Sequence, residues 1–482
     1  MSDSFQTYLT KTGEVGVVEE VLHSIVYING LPGLHPNELV IFEDGQLGQT
    51  ISLSRDKSEI LLLSHSQIKV GEKVARTNSF FSITIGDDVL GNIIDPLGNP
   101  LEGKKLGTGI PREVDIIPPA LSKRNLIKEP IETGVALVDL IIPVGKGQRE
   151  LVIGDRKTGK TQFFIRTILN QTKKGNICIY ASVGKKIIEI QEILGELKAK
   201  GVDKNSVVVA SSASDAPGLI YLTPYTAMTI AEYFRDKGRD VIVILDDLTN
   251  HAMYYREISL LAGRFPGRNS YPGDIFYIHS KLLERAGNFT KGSITCFPVA
   301  ESILGDLSGY IQTNLMSITD GHIFFDSELA GLGRRPAINP FLSVTRVGQQ
   351  AQTQLLRDLS RELSSFLITL EKLRDFIHFG AELSEDILQK LKLGDRVLEF
   401  FNQPVDVVPI NMSILVIGML WIGSWRDQKV TDMRSKIKKM IEEYNVNSGF
   451  KKSIDDIIAK TTTFKDLLNK LREGNYGQER YY

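Results

Sequence analysis

The chain of 482 residues carries 57 basic and 58 acidic side chains, a formal net charge of −1, so no whole-chain attraction to nucleic acid or an anionic membrane is built in. That length exceeds a single hydrophobic core and implies about two to four domains, and the 42% hydrophobic and 24% charged content is that of an ordinary globular protein. Only Cys178 and Cys296 are present, each in an apolar segment, which excludes a disulfide framework, and seven scattered histidines give no zinc-ligand spacing.

The first residues lack the basic-then-apolar order of a signal peptide. The longest strongly apolar stretch, 414–421, is too short to span a bilayer. The expectation is therefore a cytoplasmic-type chain that reaches any membrane through partners. From Gly13 to about Val74 the pattern is one of short strands and turns: 16–21, 24–28, 39–42, 48–53 and 59–63, with Asp44-Gly45 as a hairpin signal. About six strands with no helical period predict a small closed barrel over 1–74, which removes exposed edges and serves as scaffolding.

Over 75–352 strands alternate with helical segments. The apolar run 150–153 leads into Gly154-Asp155-Arg156-Lys157-Thr158-Gly159-Lys160-Thr161 and then a helical stretch, the strand–loop–helix context of a P-loop. Each residue type has a reason. Gly154 and Gly159 permit a tight turn whose N–H groups converge on phosphate oxygens, and the positive helix end adds to the anion's stabilisation. Lys160 would reach the β/γ-phosphates and the Thr161 hydroxyl would ligate magnesium. Segments 177–181 and 206–210 read as buried parallel strands, 225–234 as a helix, and 241–245 as a strand ending at Asp246-Asp247. A carboxylate at that strand end is where open α/β sheets place ligand groups, so Asp246 is the expected magnesium-side acid. The competing reading of an Asp here is a cap for the following turn.

Beyond about Thr353 the chain turns helical. Leu355, Leu356, Leu359, Leu363, Phe366, Leu367 and Leu370 recur at three- and four-residue spacing. A second helix is expected from Ser384 as N-cap, another over about 413–425, and charged amphipathic helices to Tyr482. An apolar helical stripe is core far more often than partner surface, so a helical bundle is expected over 353–482.

Several strings, in order, carry a resemblance: the loop 154–161, Pro224-Tyr225-Thr226-Ala227, Ala231-Glu232-Tyr233-Phe234-Arg235-Asp236, Tyr271-Pro272-Gly273-Asp274-Ile275-Phe276-Tyr277, Leu282-Leu283-Glu284-Arg285-Ala286, Ser317-Ile318-Thr319-Asp320-Gly321, Arg335-Pro336-Ala337-Ile338-Asn339 and Ser343-Val344-Thr345-Arg346-Val347-Gly348. With them the chain resembles the alpha, non-catalytic nucleotide-binding subunits of rotary F-type ATP synthases over nearly its whole length. The resemblance implies a multidomain α/β protein: an N-terminal β-barrel, a central P-loop (RecA-like) nucleotide-binding domain and a C-terminal α-helical bundle. It implies ATP or ADP with Mg2+ at 154–161, and adenine-side contacts from Arg335, Pro336 and Gln403. It also implies Arg346 as an arginine finger in trans at the neighbouring subunit's site, with Ser317 near the same phosphate. The implied partners are a catalytic beta subunit in an alternating hexamer, a gamma-type central stalk, a membrane sector reached through the complex, and a peripheral stalk as a further candidate; nucleic acid is not among them. The implied location is the cytoplasmic face of a membrane.

The departures from the family pattern are specific. Catalytic beta subunits place a glutamate after the glycine that follows the next strand, where it orients the attacking water. Here Val183-Gly184-Lys185-Lys186 puts Lys185 at that place, and an ammonium cannot accept a proton as a carboxylate does. Hydrolysis at this chain's own loop is thus not expected, and the isolated chain should be essentially inactive. Lys157 stands where glutamine is usual, and Asn402-Gln403-Pro404-Val405 keeps one adenine-side glutamine. The N-terminal extension that holds the peripheral stalk is expected to be short or missing, as in a divergent branch. The alternative is a self-sufficient ring-forming ATPase, a secretion motor or a hexameric helicase. It would need its own carboxylate beside the loop, and a helicase a basic groove with exposed aromatics.

Overall fold

The structure is a computed structural model and describes residues 3–55, 57–64, 67–102, 106–378, 384–403 and 407–474. Pro404 and Val405, quoted above beside Gln403, and the tail from 475 to Tyr482 lie outside the described residues. The chain forms two compact units: Met1–Asn125 with Gly175–Glu301 and Asp306–Thr319, and Leu126–Lys174 with Ser302–Gly305 and Asp320–Tyr482.

In the first unit, β1 (Val15–Leu22), β2 (Ile25–Asn29), β3 (Glu38–Phe42), β4 (Leu47–Leu53), β5 (Ser58–Leu62) and β6 (Lys73–Phe80) close a six-strand barrel in the order β1-β2-β5-β4-β3-β6. Closure pairs every strand on both sides, so no edge is left to recruit another chain. Val18, Val26, Ile28, Val40, Phe42, Ile60 and Val74 fill its interior. At the predicted hairpin Gly45 adopts φ 98° and its N–H donates to Phe42 O at 2.8 Å. Two features differ from the sequence reading. The last strand continues to Phe80, past the boundary placed at 74. A helix that the strand pattern gave no hint of, α1 (Asp3–Thr12), lays Phe5, Tyr8 and Leu9 against Ile41, Ala75 and Leu47.

The barrel also carries a buried ion pair. Arg76 donates from Nε to Glu38 Oε1 (3.0 Å) and from NH2 to Oε2 (3.1 Å), a bidentate fork, and NH1 reaches Glu14 at 3.3 Å. Backbone N–H groups of His35 and Asn78 complete the Glu38 carboxylate. Burial pushes Glu38 upward, but these donors outweigh it and hold the carboxyl below its ordinary range.

Beyond the barrel the first unit is a parallel sheet. Ile177–Lys185 pairs with Ser206–Ser212 on one side and Asp240–Asp246 on the other, and Asp240–Asp246 pairs in turn with Ser293–Glu301. These strands are buried almost throughout, which is why they read as continuous apolar runs. Cys178 and Cys296 lie fully buried on the two strands flanking Asp240–Asp246. The helix expected at 225–234 is longer, Pro217–Asp236, with Pro224 inside it. Its Glu232 takes a buried bidentate contact from Arg285 (3.1 and 2.6 Å), and Arg285 NH1 donates to Val114 O at 2.8 Å. Two of the strings quoted above thus meet in one ion pair.

In the second unit, Glu150–Gly154 runs parallel to Gly321–Phe325, which takes Val344–Thr345 antiparallel on its far side. The helix Lys160–Lys173 follows the loop. The C-terminal region is helical: Gln354–His378, Glu385–Phe401, Ile410–Trp421, Val430–Val446, Ser448–Ala459 and Phe464–Glu473. The leucine stripe 355–370 is buried, with Leu359 and Leu363 fully enclosed. Trp421 stands edge-on to both Phe366 and Phe464, with ring centroids 5.1 and 5.7 Å apart, and so joins three helices. The helix expected over 413–425 stops at Trp421, because Gly423 and Trp425 both take positive φ.

Candidate functional site

In the second unit the strand Glu150–Gly154 delivers the chain to the loop with no room for a side chain at Gly154. A Cβ there would lie 2.3 Å from Phe325 O and 2.6 Å from Phe325 Cβ of the paired strand. Gly159 has open space around it but takes φ 102°, and Lys157 takes φ 63°. Two left-handed residues flanking Thr158 curl the backbone just before a 14-residue helix, the setting of an anion cradle. The loop's own side chains brace it. Thr158 is buried and donates from Oγ1 to Asp155 O at 2.8 Å. Asp155 accepts from Ser302 Oγ (2.5 Å) and Gly305 N (3.1 Å), tying the loop to the turn 302–305. Burial pushes Asp155 upward, yet these donors and the Lys160 charge leave it below its ordinary range. Arg156 and Lys157 are exposed. Lys160 Nζ donates to Gly154 O and Asp155 O, both at 2.7 Å, so the ammonium lies folded over the loop, and Thr161 is half-buried on the first helical turn. A phosphate chain fits these residues: positive charge, backbone curvature and helix end converge on one hollow.

Asp246, expected as the magnesium-side acid, is in the first unit and is already engaged. Its Oδ1 lies 2.7 Å from Lys185 Nζ, with the two side chains only 13% and 4% exposed, and its Oδ2 accepts from the Tyr180 hydroxyl. Burial alone would lower the Lys185 pKa, but the Asp246 and Asp247 charges hold it above its ordinary value. Asp247, given no role from sequence, caps the helix Leu248–Leu261 by accepting from Asn250 N at 2.7 Å. The turn-capping role weighed for Asp246 therefore falls to its neighbour. Burial first, and the Asp246 charge second, push the Asp247 carboxyl upward. A metal ion fits Asp246 poorly, because the Lys185 ammonium at 2.7 Å already neutralises the carboxylate and would repel a second cation beside it.

Ser317 lies on the helix Tyr310–Ile318, and its exposed hydroxyl donates to Thr313 O at 2.8 Å. Arg346 is exposed just past the strand Val344–Thr345. Its N–H donates to Asp320 O at 3.0 Å, and Asp320 is clamped by Arg149 N and NH2, each at 2.9 Å. The backbone that carries Arg346 is thus fixed while the residue is exposed, its charge felt by the buried Glu150 carboxyl and by His322.

Of the residues expected on the adenine side, Gln403 is the one whose side chain is spent within the protein. Arg335 is exposed and precedes Pro336 through a cis bond; its N–H donates to Asn402 Oδ1 at 2.9 Å. Gln403, expected to face the base, is buried. Its amide donates to Gly134 O (2.9 Å) and accepts from Ala136 N (3.4 Å), so it holds the start of the helix Ala136–Ile141. Local sequence gave no sign of Ser302, Tyr180 or Asn402 as partners of Asp155, Asp246 and Arg335, since each contact joins distant segments.

Residues 134–345 match the family model described as ATP synthase alpha/beta family, nucleotide-binding domain. The chain is 39% identical over 422 residues to "ATP synthase subunit alpha" of Clostridium botulinum strain Hall, spanning 86% of this chain and 84% of that one. It is 41% identical over 414 residues to "ATP synthase subunit alpha" of Clostridium acetobutylicum, 84% and 82%. Against "ATP synthase subunit alpha 1" of Chlorobium luteolum it is 38% identical over 438 residues, 89% and 85%.

Proposed function

The chain belongs to the ATP synthase alpha/beta family, on the side of the alpha subunits, and on that premise we propose that it holds nucleotide at 154–161 without cleaving it while Arg346 serves the site of a neighbouring beta-type subunit. The observation that carries the first half is Lys185. It stands where a water-activating carboxylate would be needed, and its ammonium is held at 2.7 Å by Asp246. A protonated, ion-paired amine neither takes a proton from water nor polarises it.

In this reading the cradle 154–159, Lys160 and the helix end bind the phosphates, and Thr161 offers its hydroxyl to the magnesium ion of Mg-ATP. Asp246, expected on the magnesium side, holds Lys185 and Tyr180 instead. Arg335 and Pro336 take the adenine side, with Gln403 acting behind them through Gly134 and Ala136. Arg346 suits a neighbour's γ-phosphate because guanidinium is always charged and offers a planar fork of donors. Support comes from its exposed side chain on a clamped backbone. Ser317 is the weaker member of the pair, its hydroxyl being spent within its own helix. The partners that follow are beta-type subunits in an alternating ring, a gamma-type stalk and an ion-conducting membrane sector reached through the complex, with a peripheral stalk as a further candidate. Among the described residues no helix is long and apolar enough to cross a membrane.

The test is reconstitution. Arg346→Ala should lower hydrolysis by the assembled complex by about 10³-fold or more and leave nucleotide on this subunit. The purified chain should bind Mg-ATP and turn it over negligibly. Robust turnover by the isolated chain, abolished by Lys160→Ala, would sink the reading, as would full activity of the Arg346→Ala complex.

A further inference from the structure

We infer that a cavity within the second unit is a binding site for a small apolar monocarboxylate, with Arg334 receiving the carboxylate. The cavity measures about 290 Å³. Its lining comes from Leu137, from the segment 329–341 and from the helices Gln354–His378 and Glu385–Phe401 as far as Asn402, all in that one unit. No residue of the loop 154–161 lines it, and only Pro336 and Asn402 border the proposed adenine side.

The walls are apolar and held in place. Leu137, Ile338, Leu367, Leu370 and Phe401 are buried. Asn339 accepts from the N–H groups of Phe341 (3.0 Å) and Leu342 (3.2 Å) and donates its amide to Asp326 (2.9 Å), which fixes the turn on one side. On the other side the two helices close at Gly394, where a Cβ would lie 2.4 Å from Leu370 Cδ1. A dry cavity of about 150 Å³ takes benzene. One of nearly twice that volume has room for a bicyclic ring or a chain of about eight to ten carbons.

The charge in the wall is arginine. Arg334 is half-buried there, and its NH1 donates to Leu398 O at 3.1 Å. Arg374 also lines the cavity and is paired with Asp395 at 2.5 Å in an exposed bridge. Burial first, and the Arg374 charge second, act against the Arg334 guanidinium, and the Glu399 and Asp395 charges offset them only in part. A carboxylate seated at this wall answers both: it accepts from the planar fork, and its charge screens one guanidinium from the other. Glu371, the one acid in the lining among the described residues, is exposed. A cationic wall beside an apolar body selects a single negative charge on an apolar ligand.

The experiment titrates the full-length chain with 2-naphthoate, followed by saturation-transfer NMR, beside the uncharged 2-naphthamide. The acid should bind with a Kd of about 1 mM or tighter, and the amide about tenfold more weakly. Arg334→Gln should weaken the acid about tenfold and leave the amide unchanged, while Arg334→Lys recovers part of the loss. Leu329→Trp fills the cavity from a half-buried position and should abolish both. Melting curves as cooperative as the wild type's separate these losses from unfolding. Equal binding of acid and amide would overturn the choice of a carboxylate. Binding that survives Leu329→Trp, or no binding by the wild type at about 10 mM acid, would overturn the site. Displacement of the acid by saturating Mg-ATP would overturn it too, by making the cavity the base end of the nucleotide site.

Discussion

Two glycines of one loop are required for different physical reasons, and this difference can be measured. At Gly154 the obstacle is space: a methyl group would sit 2.3 Å from a carbonyl oxygen of the neighbouring strand, so strand or loop must shift. At Gly159 the surroundings are open and the obstacle is conformation, φ 102°. Gly159→Ala should therefore cost about 1–3 kcal/mol of backbone strain, most of it avoidable if the loop relaxes. Gly154→Ala should cost more and weaken the pairing of Glu150–Gly154 with Gly321–Phe325. Urea unfolding of the two variants, with hydrogen exchange on residues 150–154, checks the order; equal losses would refute it. The loop's residue types were legible in sequence because phosphate binding imposes them locally. Lys185 was legible only as a missing carboxylate. Its partnership with Asp246 depends on strand register and could not be read from either segment alone. Gln403 shows the converse: a glutamine can match a family position while its amide is spent on the backbone of Gly134 and Ala136.

The barrel strands, the buried parallel strands and the leucine-striped helix were each announced by a period of two, an unbroken apolar run or a three-four spacing. Elements whose apolar residues are few escaped. Helix α1 offers only Phe5, Tyr8 and Leu9 among polar neighbours, and it gains its place from Ile41 and Ala75, supplied by distant strands. Ser317, named from sequence only through the resemblance, is helical for a comparable reason: Ile311 and Leu315 are buried a turn apart. The barrel also carries a pH signature. Glu38 has a folded pKa below its ordinary 4.5, so in that window the unfolded chain binds the extra proton. The stabilisation from Glu38 is complete above about pH 4.5 and is lost as pH falls further. Glu38→Gln should cost about 3–5 kcal/mol near neutral pH by leaving Arg76 short of its buried partner, and its melting temperature should fall less steeply than the wild type's on acidification. Parallel melting curves for the two proteins would disprove the assignment.

At the scale of the whole molecule, identity to alpha subunits across most of the chain sits beside a strand-end carboxylate, Asp246, that Lys185 neutralises from within. The assembly was legible only through the resemblance, since composition and a net charge of −1 say nothing about partners. The same sheet that carries Asp246 also contains a built-in clock. Cys178 and Cys296 are sealed on the two strands that flank Asp240–Asp246, and burial holds the Cys178 thiol well above its ordinary pKa. A thiol reagent can reach them only after those strands separate, so the rate of modification counts openings of the sheet rather than collisions with the surface. At saturating nucleotide that rate should fall in proportion to the stability gained, about a hundredfold at a ligand concentration of 100 Kd if opening releases the ligand. A labelling rate indifferent to nucleotide would mean that binding and sheet opening are uncoupled. With no residue changed, the rate at which a thiol reagent finds these two cysteines reports how firmly the sheet is held shut.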